Sequence, residues 1–223
     1  MSSTNRCIQP GLAYHVTQRG SNKQAIFFET FDHRTYLRLL RDNQQDCGVK
    51  ILAYCLMPNH VHLIVRPEFE DSLGVFFRRV HGSFARYINL KEGRSGHLWT
   101  NRYFCCSLSA THLRRALHYV EHNPVRAGLA ARPEDFPWSS AAAHIGRSDN
   151  ANVLDLEFWQ SEGGASAWRE MLATPQEILE GRILRACTFA RRPFGDDDFV
   201  KAESERLGRG WYRKPLLRAA AAT

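Results

Sequence analysis

Val49-Lys50-Ile51-Leu52-Ala53-Tyr54-Cys55-Leu56-Met57-Pro58-Asn59-His60-Val61-His62-Leu63-Ile64-Val65 is the stretch on which the fold turns. Two apolar runs are joined by Pro58-Asn59, and the second ends at Arg66-Pro67. Two such runs with a two-residue connector predict an antiparallel β-hairpin. Side chains alternate faces along a strand, so His60 and His62 point the same way while Val61 points into a core. Two imidazoles side by side on a rigid strand can hold a divalent cation if a third ligand arrives from elsewhere. The bland alternative stays open, because His-x-His is a short pattern that also arises by accident on a surface.

Working outward, Tyr14-His15-Val16-Thr17 reads as a short strand between Pro10-Gly11 and Arg19-Gly20-Ser21-Asn22. Residues 31–47 carry Phe31, Tyr36, Leu37, Leu39 and Leu40 at helical spacing, with Asp32 as expected N-cap and Gly48 as the stop. A second helix is predicted from Ser72 to Leu90, with Leu73, Phe76, Phe77, Val80, Phe84, Tyr87 and Ile88 on its apolar face. Its polar side carries Arg78, Arg79 and Arg86. Gly93 to Gly96 breaks that helix, and Leu98 to Leu108 is an extended run. Strand, helix, strand, strand, helix, strand is the split βαβ order of an α+β, ferredoxin-like domain: an antiparallel sheet with helices on one face. A third helix follows over residues 113–123, capped by Ser109 or Thr111 and stopped by Pro124. Leu113, Leu117 and Val120 form its packing stripe, and Tyr119 and Asn123, four apart, share another face.

The composition changes at Pro133, so a core domain over 1–132 and a helical extension over 133–223 are expected. Pro133 to Ser140 opens the extension with aromatics that cover the core. Helices are then expected at 155–159, 165–173, 175–189 and 196–207, and the alanine-rich end at 219–223 should fray. Arg182, Arg185, Arg191 and Arg192 cluster, followed by Arg206, Arg209, Arg213, Lys214 and Arg218. Thirty Lys and Arg against 23 Asp and Glu give a net charge of +7, which suits a nucleic-acid partner or, alternatively, a solvated basic face. Six cysteines without a Cys-x-x-Cys pair argue for buried thiols rather than a zinc site or a disulfide frame. No apolar run approaches the ~20 residues of a membrane span. The polar start, Met1 to Arg6, has no signal-peptide core behind it, so a cytoplasmic protein is expected.

Chemistry enters through the histidine pair and Tyr119. A phenol is a weak nucleophile at its ordinary pKa of about 10 unless something lowers the barrier. A metal that polarises a phosphoryl oxygen does so, and attack on a DNA phosphodiester would leave a 5′-phosphotyrosine and a free 3′-hydroxyl. The bond energy stays in the adduct, and the chain has no Gly-x-x-x-x-Gly-Lys-[Ser/Thr] loop for a nucleotide. The Asn123 amide oxygen could complete the coordination; two imidazoles with oxygen ligands suit Mg²⁺ or Mn²⁺, the latter better. Tyr119 also fits a helix aromatic that merely packs on the sheet.

Four ordered motifs carry a resemblance. Tyr14-His15-Val16-Thr17-Gln18-Arg19-Gly20, residues 56–65, Gly96-His97-Leu98-Trp99-Thr100-Asn101-Arg102-Tyr103, and Tyr119-Val120-Glu121-His122-Asn123-Pro124-Val125-Arg126-Ala127-Gly128-Leu129 together resemble HUH-type single-tyrosine transposases. Trp138-Ser139-Ser140 fits as well. The nearest likeness is to the REP-associated tyrosine transposases, over residues 6–145. It implies a ferredoxin-like catalytic domain that cleaves single-stranded DNA beside a palindromic hairpin with a divalent metal. His60 and His62 would be metal ligands and Tyr119 the nucleophile. Asn123 stands where relatives often carry Gln. Arg191-Arg192-Pro193-Phe194-Gly195 resembles the branch's Gly-Arg-Pro-Leu-Gly segment, in a C-terminal region that helps bind the palindrome. Arg19, Arg102 and Arg126 are expected at phosphates near the site, Arg185, Arg191 and Arg192 on the DNA, and Trp99 or Tyr103 either stacks on bases or is buried. Tyr119 follows Leu108 closely, so it should serve its own chain's histidines in a monomer. Two other functions fit the same residues: a palindrome-binding protein without catalysis, and a metal phosphodiesterase that uses water.

Overall fold

The computed structural model describes residues 7–147, 149, 151–175 and 177–211. Arg213, Lys214, Arg218 and the terminal alanines, expected as basic tail and frayed end, lie outside the described residues. Strand β1 (Tyr14–Arg19) runs two residues past the expected Thr17 and ends at Gly20. There the Gln24 backbone and the Ile26 side chain come so close that any Cβ would collide. Helix α1 (Thr30–Gln44) begins with Glu29 as its N-cap, earlier than expected. Asp32 therefore sits inside the first turn rather than at the cap. Its Oδ2 accepts from the backbone N–H of Phe28 at 2.7 Å and of Glu29 at 3.1 Å, reaching back as the acidic member of a capping box does.

Strands β2 (Val49–Met57) and β3 (His60–Pro67) form the predicted hairpin, with Met57 opposite His60. Helix α2 (Ser72–Lys91) follows as expected, but strand β4 (Phe104–Ser107) is much shorter than the run from Leu98 to Leu108. The earlier half of that run pairs only where the Leu98 carbonyl accepts from Ser21 and the Thr100 N–H reaches Arg19, around an isolated Gly20–Trp99 bridge. The Trp99 indole N–H bonds the His81 carbonyl at 3.0 Å, so side-chain contacts, not a ladder, keep this segment extended. The sheet order is β2-β3-β1-β4 with every pair antiparallel, the ferredoxin-like topology.

Both faces are covered. On one, Tyr36 and Leu40 of α1 and Phe76, Phe77, Val80, Phe84 and Ile88 of α2 pack on Val16, Leu56, Val61, Leu63 and Val65. Each fully buried side chain of this kind is worth about 1.5–3 kcal/mol. On the other, Ala53, Cys55, Ile64 and Cys106 receive α3 (Ala110–Glu121) through the expected stripe of Leu113, Leu117 and Val120. Pro124 does not end the chain's helical path. It falls in the first turn of α4 (Asn123–Arg126), where a missing N–H costs nothing, so the helix bends and continues.

The remainder shares this second core through Phe136, Phe158, Trp168, Leu172 and Leu184. Its elements are a 3₁₀ turn at Pro133–Asp135, α5 (Ala141–His144), α6 (Leu156–Ser161), α7 (Gly164–Ala173), α8 (Ile178–Ala190) and α9 (Asp197–Arg206). Trp138 to Ser140 line the outer edge of β2: Leu56 N–H bonds the Trp138 carbonyl, and Ser140 N–H bonds the Tyr54 carbonyl. The five cysteines from Cys47 to Cys187 are buried, as expected, and Cys7 is exposed. Among the described residues no helix is long and apolar enough to cross a membrane.

Candidate active site

The register of β1 against β3 builds the site. Arg19 stands opposite His60, Thr17 opposite His62, and His15 opposite Ile64. The β-pleat thus puts His15, Thr17 and Arg19 on the same sheet face as the histidine pair. Tyr119 comes down onto this face from α3, and α8 adds Arg185, Thr188 and Phe189, enclosing a cavity of about 220 Å³. The Tyr119 ring meets His62 and His15 edge-on, with centroids 5.7 and 5.8 Å apart. The tyrosine does pack on the sheet, and what it packs on is the pair of imidazoles.

Hydrogen bonds define the ring nitrogens. Asn59 donates its amide N–H to the Lys23 carbonyl at 3.1 Å, which turns its oxygen toward His60. That oxygen can only accept, so His60 carries its proton on Nδ1, 2.7 Å away, and keeps a lone pair on Nε2. His62 Nδ1 lies 2.9 Å from His15 Nε2. Burial, aided by Arg19, Arg185 and Arg126, holds His60 down to about 4. Burial first, then His60, His15 and the arginines, pushes His62 well below its ordinary value. Both rings are neutral, the form that ligates metal. Among the described residues no three His, Cys, Asp or Glu side chains converge on one point, so a cation here needs an oxygen ligand of another kind.

Burial raises the Tyr119 phenol, while Arg126, Arg185 and a hydrogen bond from Arg126 work against it. The Arg126 guanidinium lies 4.3 Å from the centre of the Tyr119 ring and also donates to the Asn123 amide oxygen. Asn123 spends its own N–H groups on the Tyr119 and Val120 carbonyls at 3.0 and 3.2 Å. Arg19 brings a buried Nε with no hydrogen-bond partner among the described residues. Among the described residues no carboxylate lines the cavity, whereas three arginines do.

Of the residues expected from sequence, His60, His62, Tyr119, Asn123, Arg19, Arg126 and Arg185 come together. Arg102 does not: it lines a separate groove on the far side of the sheet with Trp99, Tyr103 and Arg78. Tyr103 is buried there against Phe77, and Trp99 is half-buried. Arg191 sits over the Phe104 ring at 5.7 Å, and Arg192 follows it in the turn after α8. Sequence reasoning missed His15, Thr17 and Thr188. The alternation of His15, Thr17 and Arg19 along β1 is the signal that could have found the first two. Beside the cavity opens a wider groove of about 1050 Å³, sharing Tyr119, Arg126 and Arg185 and adding Arg147, Arg169 and Arg182.

The transposase IS200-like family model matches residues 9–123, just over half of the chain. The chain belongs to the IS200-like transposase family. The match takes in the histidine pair, Tyr119 and Asn123, and stops before the extension. The chain is 26% identical over 100 residues to a putative REP-associated tyrosine transposase of Haemophilus influenzae, covering 40% of this chain and 57% of that protein. It is 26% identical over 106 residues to the REP-associated tyrosine transposase of Escherichia coli, covering 47% and 61%. The chain thus spans about three fifths of these relatives' length. A REP-associated tyrosine transposase solved bound to a REP hairpin aligns with a TM-score of 0.56 and 21% identity, over 66% of this chain and 87% of that one. That likeness is one of fold.

Proposed function

We propose that the protein is a tyrosine transposase that cuts and rejoins single-stranded DNA beside a palindromic hairpin. The reading rests above all on one juxtaposition: the Tyr119 phenol packs edge-on against neutral His62, with neutral His60 beside it, in a cavity lined among the described residues by arginines and by no carboxylate. His60 and His62 would hold a divalent cation, Mn²⁺ or Mg²⁺, with Asn123 offering its amide oxygen as third ligand, an atom Arg126 holds in this structure. Bound there, the cation supplies charge withdrawal from a phosphoryl oxygen. Tyr119 attacks the phosphorus, the P–O3′ bond breaks, and the 5′-phosphate remains on the tyrosine with the 3′-hydroxyl free. Attack by a 3′-hydroxyl on that adduct reverses the bonding and needs no nucleotide.

The orphaned Arg19 Nε beside His60 is a donor waiting for an anionic oxygen, and Arg126 and Arg185 stabilise the charge that develops on the phosphoryl group. The arginine groove next to Tyr119 suits the single strand that flanks the cut. Arg102, Arg191 and Arg192 stand apart from this cavity, so their part would be in holding more distant DNA. Tyr119 comes from the same chain as its histidines, which agrees with a working monomer.

The test uses labelled hairpin DNA with a single-stranded flank, Mn²⁺ and a denaturing gel. Wild-type protein should retain the label covalently, and Tyr119→Phe should not. Cleaved DNA without an adduct would assign the attack to water instead. Hairpin binding without cleavage under any metal would leave a DNA-binding protein.

A further inference from the structure

Thr188, on α8, lies 65 residues beyond the end of the family-matched region, yet its hydroxyl touches the histidine site. Thr188 Oγ1 is 2.8 Å from the carbonyl oxygen of Leu184, one turn earlier in α8. A carbonyl only accepts, so the hydroxyl proton is committed there; without it two acceptor oxygens would face each other. The Thr188 oxygen is also 2.7 Å from His15 Nδ1. With its own proton spent, it can only accept from that nitrogen, and His15 carries its proton on Nδ1. His15 is nearly fully buried and therefore neutral, so its Nε2 holds a lone pair. That lone pair lies 2.9 Å from His62 Nδ1, which must then be the protonated nitrogen of His62. The proton order runs from His62 Nδ1 to His15 Nε2, and from His15 Nδ1 to Thr188 and Leu184. At its end one nitrogen is left without a proton: His62 Nε2, the atom a cation would need.

We propose that His15 and Thr188 are positioning residues that set the tautomer and ring orientation of His62, so that α8 helps to form the metal site. The inference rests on the reading of His60 and His62 as metal ligands. A ring whose other nitrogen donates to a fixed partner is a better and better-aimed ligand, and loss of such a partner costs metal affinity about ten- to hundredfold. If the Thr188 hydroxyl is removed, His15 is free to turn its proton to Nε2. His62 Nδ1 must then accept, its own proton moves to Nε2, and the ligand atom is blocked. The parallel arm of the site needs no such relay, because Asn59 fixes His60 directly.

The experiment compares wild type, Thr188→Val, Thr188→Ser and His15→Phe without DNA. Long-range ¹H–¹⁵N spectra of the imidazoles read the tautomer, calorimetry reads Mn²⁺ affinity, and hairpin binding in chelator reports on the fold. Wild type should show His62 protonated on Nδ1. Thr188→Val and His15→Phe should bind Mn²⁺ at least about tenfold more weakly, with hairpin binding retained, and Thr188→Ser should restore wild-type affinity. An Nε2-protonated His62 in wild type overturns the proposal even if Thr188→Val fails to fold. Mn²⁺ affinity within twofold of wild type in Thr188→Val, with tautomer unchanged, also overturns it. Wild-type protein that binds no Mn²⁺ at all would instead sink the metal-ligand reading, and the spectra would still decide the tautomer.

Discussion

Arg126 illustrates how much of the site is held by one side chain. It stacks on the Tyr119 ring, hydrogen-bonds the phenol, and occupies the Asn123 amide oxygen. Desolvation raises the phenol and Arg126 opposes that rise, so its cation favours the phenolate that must form during attack. Arg126→Gln keeps a donor for Asn123 but removes the charge. Its rate of adduct formation with hairpin DNA should fall by about a hundredfold or more, the usual cost of losing one preorganised donor at a developing oxyanion. Quench-flow or gel time courses at saturating DNA would measure it, and a rate within a few-fold of wild type would show that Arg126 only packs. That His60 and His62 share one face was legible in the alternation along a strand, and Tyr119 stood out only through the motif that carries the family resemblance, its helix position fitting a packing aromatic equally. Thr188 was not legible, because the contact that gives it meaning, to His15, joins residues 173 positions apart.

At the scale of elements, Glu121 is what fastens the tyrosine helix to the extension. Its carboxylate is completely buried at the end of α3; one oxygen accepts from Ser140 and, at 2.5 Å, meets His144 Nδ1. The other accepts from the Trp168 indole N–H at 3.1 Å. Glu121→Ala would strand His144 Nδ1 and the Trp168 indole N–H in the second core, whereas the Ser140 hydroxyl keeps the Tyr54 N–H and carbonyl at 3.1 and 3.3 Å. Each buried group left unpaired costs about 1–3 kcal/mol, so the variant should lose about 2 kcal/mol or more in urea unfolding. A loss below about 1 kcal/mol, on the same scale, would mean that water replaces the carboxylate and that the network does not join the elements. The same scale shows where sequence reading stops. The β2–β3 hairpin and α2 announce themselves through period and turn chemistry, and the observed bounds follow them closely. The short β4 does not, because the apolar residues from Leu98 to Tyr103 are buried by His81, Phe84 and Phe77 rather than by a neighbouring strand. Hydropathy records that a residue is buried and not what buries it.

For the molecule as a whole, the second sheet face is the feature least visible beforehand, since its cover comes from helices that contribute a few large side chains each, such as Phe158 and Trp168. Closing both faces buries histidines as well as apolar groups, and this couples folding to pH. His81, in the first core and away from the candidate metal ligands, accepts or donates at 3.0 Å to the Tyr36 hydroxyl and is held down to about 3 by burial. In the unfolded chain the same imidazole titrates near 6.5. Between those values the unfolded chain binds a proton that the folded chain refuses. Stability is therefore full above about pH 6.5 and falls as the pH drops toward 3, by about 1.4 kcal/mol per pH unit where the difference is one whole proton. His15 and His60 are lowered in the same sense, so the wild-type slope includes them. His81→Gln keeps a hydrogen-bonding group for Tyr36 and has nothing to titrate. Urea unfolding at steps from about pH 7 down to about pH 4 should show the variant less stable at the upper end, and losing stability more slowly on acidification, by close to one proton. Parallel curves for the two proteins would mean that His81 takes up its proton in the folded state, and that the first core admits charge at a position the structure leaves largely buried.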